Sequence, residues 1–541
     1  MAEDFVVVKI SYCDFSCYVN KLQGRERQNE HEQVDFETAI SLTGYGKFNH
    51  LLNLLAIPAA STTMIDTTTM SYILPSAECD LNLSNVDKGI LNAVVFGGMT
   101  SGALFWGFLS DTLGRRKLLL ACYCLLASIT IASSFSQTFW SLGLFKFLGG
   151  FVACGPNAIF LAYLSEFNSC RHRSRTMMAV GIYASLAVAA LPALAWLLIP
   201  QTWSWTLLGG YITYNSWRVF LTMSAIPSFL TGCCICFFDE SPKFLMSCGR
   251  RDEALRVFQR VYSINTGNPP ETYPVKSLLK EKSGVLTSAA PDERLSTLLK
   301  LGIKQMKPFL HKPYIGMAGI VLIIQFGGQW GMNTIRLWLP QLFAIMEEYF
   351  IVNKSMSGNV TMCDILTSHT GPKTAFNETI VVTDKPCVPV QSGDTVYIYS
   401  IIVGIVTAVF NLMASSVISN LGKKKILIAG YVLSCCCVVP MYWSNSMEGL
   451  LILASLFVGS GSMCFNALMS VVVDLFPTSL RTMAVSVTVM TGRVGALLGN
   501  ITFPVFLEIS CLVPFLFLGS IMFVCSSLAF LLPRTNGKAL E

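Results

Sequence analysis

The chain has 541 residues, of which 53% are hydrophobic and 13% charged, with a net charge of +6. A soluble domain carries roughly 25% charged residues. About 287 apolar residues, at roughly 20 per span, suffice for a dozen membrane helices, which excludes a water-soluble enzyme. The basic residues sit in short clusters between apolar runs, which excludes a nucleic-acid surface, and no Gly-x-x-x-x-Gly-Lys-Ser/Thr loop is present to drive a pump with ATP.

In chain order, a polar tail over 1–47 precedes apolar runs at 48–74, 89–109, 117–135, 140–164, 177–200 and 217–238. A polar linker over 239–313 follows, helical around Asp252 to Tyr262. Apolar runs resume at 314–345, 396–420, 425–444, 449–473, 482–508 and 511–533, before a short tail over 534–541. The expectation is an all-α membrane protein of twelve spans in two six-helix halves, 48–238 and 314–533, the second holding a long loop over 346–395. With the N-terminus in the cytosol, thirty of the 38 Lys and Arg residues fall in cytosolic tails and loops, which places both termini there.

The 346–395 loop then lies on the non-cytosolic side. It carries three N-x-S/T sequons, at Asn353, Asn359 and Asn377, expected to be glycosylated, while Asn500-Ile-Thr502 lies within a span and is silent. Cys363 and Cys387 share this oxidising side, so a disulfide closing the loop is expected. Most other cysteines sit in apolar runs and read as small buried hydrophobes. No HExxH motif occurs, and neither a metal nor a cofactor is expected.

Two polar signatures recur. Gly107-Phe-Leu-Ser-Asp111-Thr-Leu-Gly114-Arg115-Arg116-Lys117 follows span two, and Ser419-Asn-Leu-Gly422-Lys423-Lys424-Lys425 follows span eight. Gly114 to Gly422, Glu166 to Asp474 and Arg173 to Arg481 are each 308 positions apart. Three matches at one offset mean a duplicated six-helix unit. Such parallel repeats are the plan of the major facilitator superfamily, whose site lies near the midplane between the halves. Asp111 can complement a helix N-terminus or a basic side chain. Glu166 with Arg173 or Arg175, and Asp474 with Arg481, are expected to form cytosolic gating pairs. Ser419 replaces the acid in the second copy, so the first half should gate more strongly.

The chain resembles the synaptic vesicle glycoprotein 2 group and its organic-ion-transporter-like relatives. The resemblance rests on Ser71-Tyr-Ile-Leu-Pro75-Ser-Ala-Glu78-Cys-Asp80, Gly98 to Gly107, Ala195-Trp196-Leu-Leu-Ile-Pro200, Asn215-Ser-Trp217-Arg218-Val-Phe220, Glu240-Ser-Pro242-Lys243-Phe244 and Phe465-Asn466-Ala467-Leu468. The long five-residue-repeat insert that the group carries between spans seven and eight is missing here. The resemblance also implies two acids in span one; here Thr63 stands at the earlier position and Asp66 alone remains.

A charge inside a span is costly and therefore functional by default. Asp66 is expected to bind a substrate cation or a coupling proton, pairing with Lys146 of span four or Arg493 of span eleven when the site is empty. Arg336 lies in the outer part of span seven. Trp196, which matches a family aromatic position for small-molecule binding, and Trp330, Gln329, Asn333, Phe465 and Asn466 are further site candidates, a Trp face favouring cations. Two functions fit these residues. One is a secondary transporter for a small organic ion or polar metabolite, working by alternating access with a coupling proton or ion. The other is a vesicle glycoprotein that keeps the fold and acts through protein partners. Either places the chain in a vesicle or plasma membrane.

Overall fold

The computed structural model describes residues 33–279, 314–352, 360–370 and 393–533. With no water in the hydrocarbon core, a spanning backbone must satisfy its own hydrogen bonds, and the apolar runs fold as helices. The first half contains α1 (Phe36–Leu42), α2 (Lys47–Leu81), α3 (Asn85–Leu113), α4 (Arg115–Ser134), α5 (Phe139–Glu166), α6 (Cys170–Leu198), α7 (Ser216–Met223) and α8 (Ile226–Ile235). The linker between the halves forms α9 (Pro242–Ser247) and α10 (Arg251–Thr266). The second half contains α11 (Tyr314–Val352), α12 (Met362–Thr370), α13 (Asp394–Leu421), α14 (Lys423–Val438), α15 (Met447–Leu475), α16 (Thr478–Ile509) and α17 (Leu512–Leu531).

Among the described residues, ten helical stretches are long and apolar enough to cross a membrane, with α7 and α8 counting as one. The long helices α2 and α3, of 35 and 29 residues, occupy the places of spans one and two. The twelve spans thus fall into two halves of six. Strand structure is minor: β1 (Gln33–Val34) pairs in parallel with β4 (Ser277–Leu278), and β2 (Ser204–Leu207) forms a hairpin with β3 (Ile212–Asn215) outside α6.

Glycine sets the closest helix contacts. A Cβ on Gly98 of α3 would overlap the Phe147 carbonyl of α5, and one on Gly150 of α5 would overlap the Val95 carbonyl of α3. The backbones touch because neither residue has a side chain. In the second half, Gly495 of α16 lies against the Phe326 backbone of α11 in the same way. The halves meet where α3 packs on α16 and α6 on α13.

The linker is built onto the first half. Phe36 of α1 packs against Phe258 of α10, with ring centroids 6.0 Å apart. The Tyr273 hydroxyl donates to the Ala39 carbonyl at 2.7 Å. The Asn265 side chain accepts from the Phe48 amide at the start of α2 (3.0 Å) and donates to the Gly44 carbonyl (3.1 Å).

On the opposite side, α11 runs seven residues further than the expected 345, and α12 docks on the second half through Met362 N donating to Ser444 O (2.7 Å). The disulfide differs from the expected one. Cys363 is bonded to Cys511 at the start of α17, because α12 folds back over the bundle and brings Cys363 to the outer end of a distant helix. Cys79, at the outer end of α2, is also disulfide-bonded. Cys387 and the sequon residues Asn353, Asn359 and Asn377 lie outside the described residues. The cysteines of the apolar runs are not uniformly buried either: Cys122 and Cys464 are, whereas Cys124, Cys233 and Cys436 are on the helix surface.

Two outcomes follow from this packing. Gly98→Leu should cost about 3 kcal/mol or more, seen as loss of the monodisperse peak in detergent size-exclusion chromatography, whereas Gly316→Leu, in open space, should keep it. Proteolysis without reductant should yield a linked peptide pair containing Cys363 and Cys511, and Cys511→Ser should abolish that pair and lower the melting temperature.

Candidate functional site

The acid of span one finds its partner within its own half. Asp66, midway along α2, lies 3.7 Å from the Lys146 ammonium of α5, and the two side chains are 7% and 2% exposed. Gly149, one turn further along α5, lies beside the carboxylate. The second oxygen, Asp66 Oδ2, is buried with no hydrogen-bond partner. Taking an ion out of water costs several kcal/mol, and only its counter-charge makes that tolerable. The pair is therefore held by charge balance, with one carboxylate oxygen left over.

Arg493 does not join that pair. From the middle of α16 it crosses to the first half, where Nη1 donates to Met99 O (3.2 Å) on α3 and to Cys154 Sγ (2.9 Å) on α5. A second crossing lies at similar depth: Asn411 Nδ2 of α13 donates to Ser185 Oγ of α6 (3.2 Å), and Asn411 Oδ1 accepts from Ser462 (3.1 Å) and Asn466 (3.0 Å) of α15. Ser185 and Arg493 are themselves 308 positions apart, so the two crossings involve equivalent positions of the repeat. Asn466 is exposed and Phe465 beside it is half-buried.

The polar residues of α11 form one stripe. Gln329, Asn333 and Arg336 follow at helical spacing, with Gln325 one turn before them, a residue the sequence reading did not single out. Asn333 Nδ2 donates to Gln329 Oε1 (2.6 Å), and Arg336 Nη2 donates to Asn333 Oδ1 (2.9 Å). Gln325 and Gln329 abut Gly492, the neighbour of Arg493. Toward the outside, Arg336 enters a small cleft lined by Thr68 and Tyr72 of α2, Pro340 of α11 and Ser400 and Gly404 of α13.

Both tryptophans lie elsewhere than a midplane site. Trp196, 39% exposed, is at the outer end of α6 and donates from Nε1 to Asp394 Oδ1 at the start of α13 (2.8 Å). It latches the halves at their outer ends. Trp330 packs against Phe326 (5.4 Å) and Phe517 (5.5 Å), and a Cβ on Gly499 would strike its ring. It fills the joint between α11, α16 and α17.

The ion pairs of Glu166 and Asp474 differ from those expected. Glu166 lies 3.6 Å from Arg115 Nε and accepts from the Ser241 hydroxyl. Arg173 instead pairs with Glu37 at 2.7 Å, and Arg175 is exposed. Asp474 pairs with Lys423 at 2.5 Å, and Arg481 Nε is buried without a hydrogen bond. The cause is geometric. Seven residues across a helix turn carry Arg173 and Arg481 onto the next helix and away from the acid, while Arg115 and Lys423, at the starts of α4 and α14, face it. These partners are also 308 positions apart. Gly114 and Gly422, with φ of 91° and 82°, make the two equivalent sharp turns, a conformation costly for other residues. Arg116 donates to Cys236 O (2.7 Å) near the end of α8, and Lys424 to Phe530 O (2.7 Å) at the end of α17. All these bonds act within a half, so they brace each bundle. The Asp111 side chain lies outside the described residues.

In the first half the brace has an extra part. Glu240 Oε1 accepts from the Arg115 and Arg116 amides (2.8 and 2.9 Å), capping the positive end of α4. On the outer side, Asp80 Oδ2 accepts from Asn215 (2.5 Å), Trp217 (2.8 Å) and Arg218 (3.4 Å), with Arg218 stacked 4.0 Å over Trp217. The sequence showed these residues only as segments of a family likeness. Arg218 could have been paired with Asp80 because both lie at the outer ends of their spans.

Two parallel six-helix halves, a buried charged pair and polar contacts across the midplane define a protein of the major facilitator fold. Residues 49–343 match the family described as "Sugar (and other) transporter" and residues 374–540 match "Major Facilitator Superfamily"; the chain belongs to this transporter family. Among curated proteins it is similar to synaptic vesicle glycoprotein 2B of Homo sapiens, 24% identical over 95% of this chain and 88% of that protein. It is likewise similar to synaptic vesicle glycoprotein 2A of Rattus norvegicus, 25% identical over 96% and 81%. Among solved structures, the inward-open xylose transporter XylE from E. coli superposes with a TM-score of 0.63 at 15% identity, covering 91% of this chain and 98% of that one. A D-xylose-proton symporter superposes with a TM-score of 0.62 at 15% identity over 91% and 100%.

The two braces should differ in weight. Glu166→Gln removes a buried acid and should cost about 1–3 kcal/mol, whereas Asp474→Asn acts on a pair 22% exposed on each side and should cost under about 1 kcal/mol. Thermal melting of both variants in one detergent gives the order, and the reverse order would contradict the buried placement of Glu166.

Proposed function

We propose that this chain is a secondary transporter that moves a small organic ion or polar metabolite by alternating access and couples it to protons through Asp66. The observation that carries the reading is the Asp66–Lys146 pair. The pair is unbalanced if either charge changes alone, and Asp66 has one buried oxygen with no partner. A proton arriving there discharges the acid, releases Lys146 and changes which arrangement of α2 and α5 is cheapest. The outer-end contact of Trp196 with Asp394 supports a state closed to the outside, which suits the likeness to inward-open structures. The proton symport named for one structural neighbour adds weight to this coupling.

The disulfide between Cys363 and Cys511 supports an orientation with both termini in the cytosol, since such bonds persist on the oxidising side. The relatives' names suggest a vesicle membrane, and a vesicle glycoprotein acting through partners is the rival reading. The Asp66–Lys146 pair favours transport, because partner binding at a surface needs no charge buried in the bundle.

Reconstituted vesicles test this. An inward proton gradient should drive accumulation of a substrate by the wild type. Asp66→Asn should reduce that accumulation at least tenfold while preserving substrate exchange without a gradient. Equal gradient-driven accumulation by the variant would remove Asp66 from coupling, and wild-type vesicles that take up no small organic solute would favour the partner-binding rival.

A further inference from the structure

We propose that the ligand of this transporter is an organic anion whose carboxylate is bound by Arg336 in the cleft between α2, α11 and α13; this deepens the transport reading and rests on it. Three observations converge there. Arg336 meets no acidic side chain among the described residues. Its Nη2 is held by the neutral Asn333 oxygen, and its Nε is buried with no hydrogen-bond partner. Thr68, across the same cleft, has a buried hydroxyl oxygen that is likewise without a partner. A guanidinium and a hydroxyl directed into one cleft, both with unused capacity, match the two oxygens of a carboxylate, which accepts forked bonds from arginine. Tyr72 and Ser400 supply further hydroxyls on the same walls.

The charge inventory of the interior points the same way. Asp66 is cancelled by Lys146, and at the outer margin Glu78 is paired with Lys88 and Asp80 with Arg218. Arg493 is bound by a carbonyl and a thiol, both neutral. Arg336 and Arg493 have no ion-pair partner among the described residues, and the α11 stripe of Gln325, Gln329 and Asn333 runs between them; Glu347, near the far end of α11, also has a buried oxygen without a hydrogen-bond partner. A positive charge in the bundle is tolerated far better when an anion arrives with the missing charge. A cationic ligand would add to the excess, and a neutral sugar would leave it uncorrected. Trp196 is held by Asp394 and Trp330 fills the joint with α16 and α17, so neither tryptophan lines this cleft.

Melting of the purified full-length protein in detergent tests binding without requiring transport. Succinate and benzoate should each raise the melting temperature of the wild type, whereas glucose and tetraethylammonium should not. Arg336→Gln should weaken the carboxylate effect roughly tenfold or more in half-maximal concentration, with Arg336→Lys recovering part of it. Because melting reads binding with no proton gradient present, its outcome is independent of the Asp66 coupling test, which separates this site from the coupling proposal. The proposal is overturned if no carboxylate shifts the wild type, if glucose or tetraethylammonium shifts it instead, or if Arg336→Gln responds as the wild type does. Should Arg336→Gln prove aggregated, Thr68→Val, which removes only a hydroxyl, should weaken the same shift, and an unchanged shift there would also count against the site.

Discussion

A charge inside the bilayer must be balanced, because removing an ion from water costs several kcal/mol that only an opposite charge can offset. That constraint accounts for most of what is distinctive here. It leaves basic clusters at one membrane face, where water solvates them. It joins Asp66 to Lys146 within the first half, so that neither can change its charge without disturbing the other. It also gives weight to the interior arginines that have no such partner, since the bundle keeps them at a cost that a bound ligand can offset.

Duplication supplies the frame in which those charges act. Arg115 with Glu166 and Lys423 with Asp474 hold the same two turns together in the two halves, each entered through a glycine of positive φ. The halves have diverged around this shared brace. The first has added Glu240 and Ser241 and a cap built from α1, α9 and α10. The second has added α12 and its disulfide on the other face. The polar contacts between halves include the equivalent positions Ser185 and Arg493, set beside the packed faces of α3 on α16 and α6 on α13.

Much of the fold was legible in the sequence. Apolar run length located the helices, and the 308-residue offset exposed the repeat. The pairing of charges was less legible. Matching each acid to the nearest downstream arginine failed for Glu166 and Asp474, because a helix turn rotates residues 173 and 481 away. The 308-residue offset holds for Arg115 and Lys423 as it does for Arg173 and Arg481, so it does not choose between them. Asp66 stood out as an acid in an apolar run, and Lys146 was one of its two candidate partners. The contact of Trp196 with Asp394 was not legible, because a likeness to a family position says nothing of how far α6 extends before it meets α13. The Cys363–Cys511 bond was hidden by 148 residues of intervening chain, and the cleft at Arg336 by its assembly from three helices.

Infrared difference spectroscopy of the reconstituted protein across a pH titration observes the central group directly, since a protonated carboxyl has a carbonyl band that an ionised one lacks. The account predicts one such band in the wild type that shifts on isotopic labelling of aspartate and is missing from Asp66→Asn. A spectrum in which the variant keeps every protonated-carboxyl band of the wild type would contradict it.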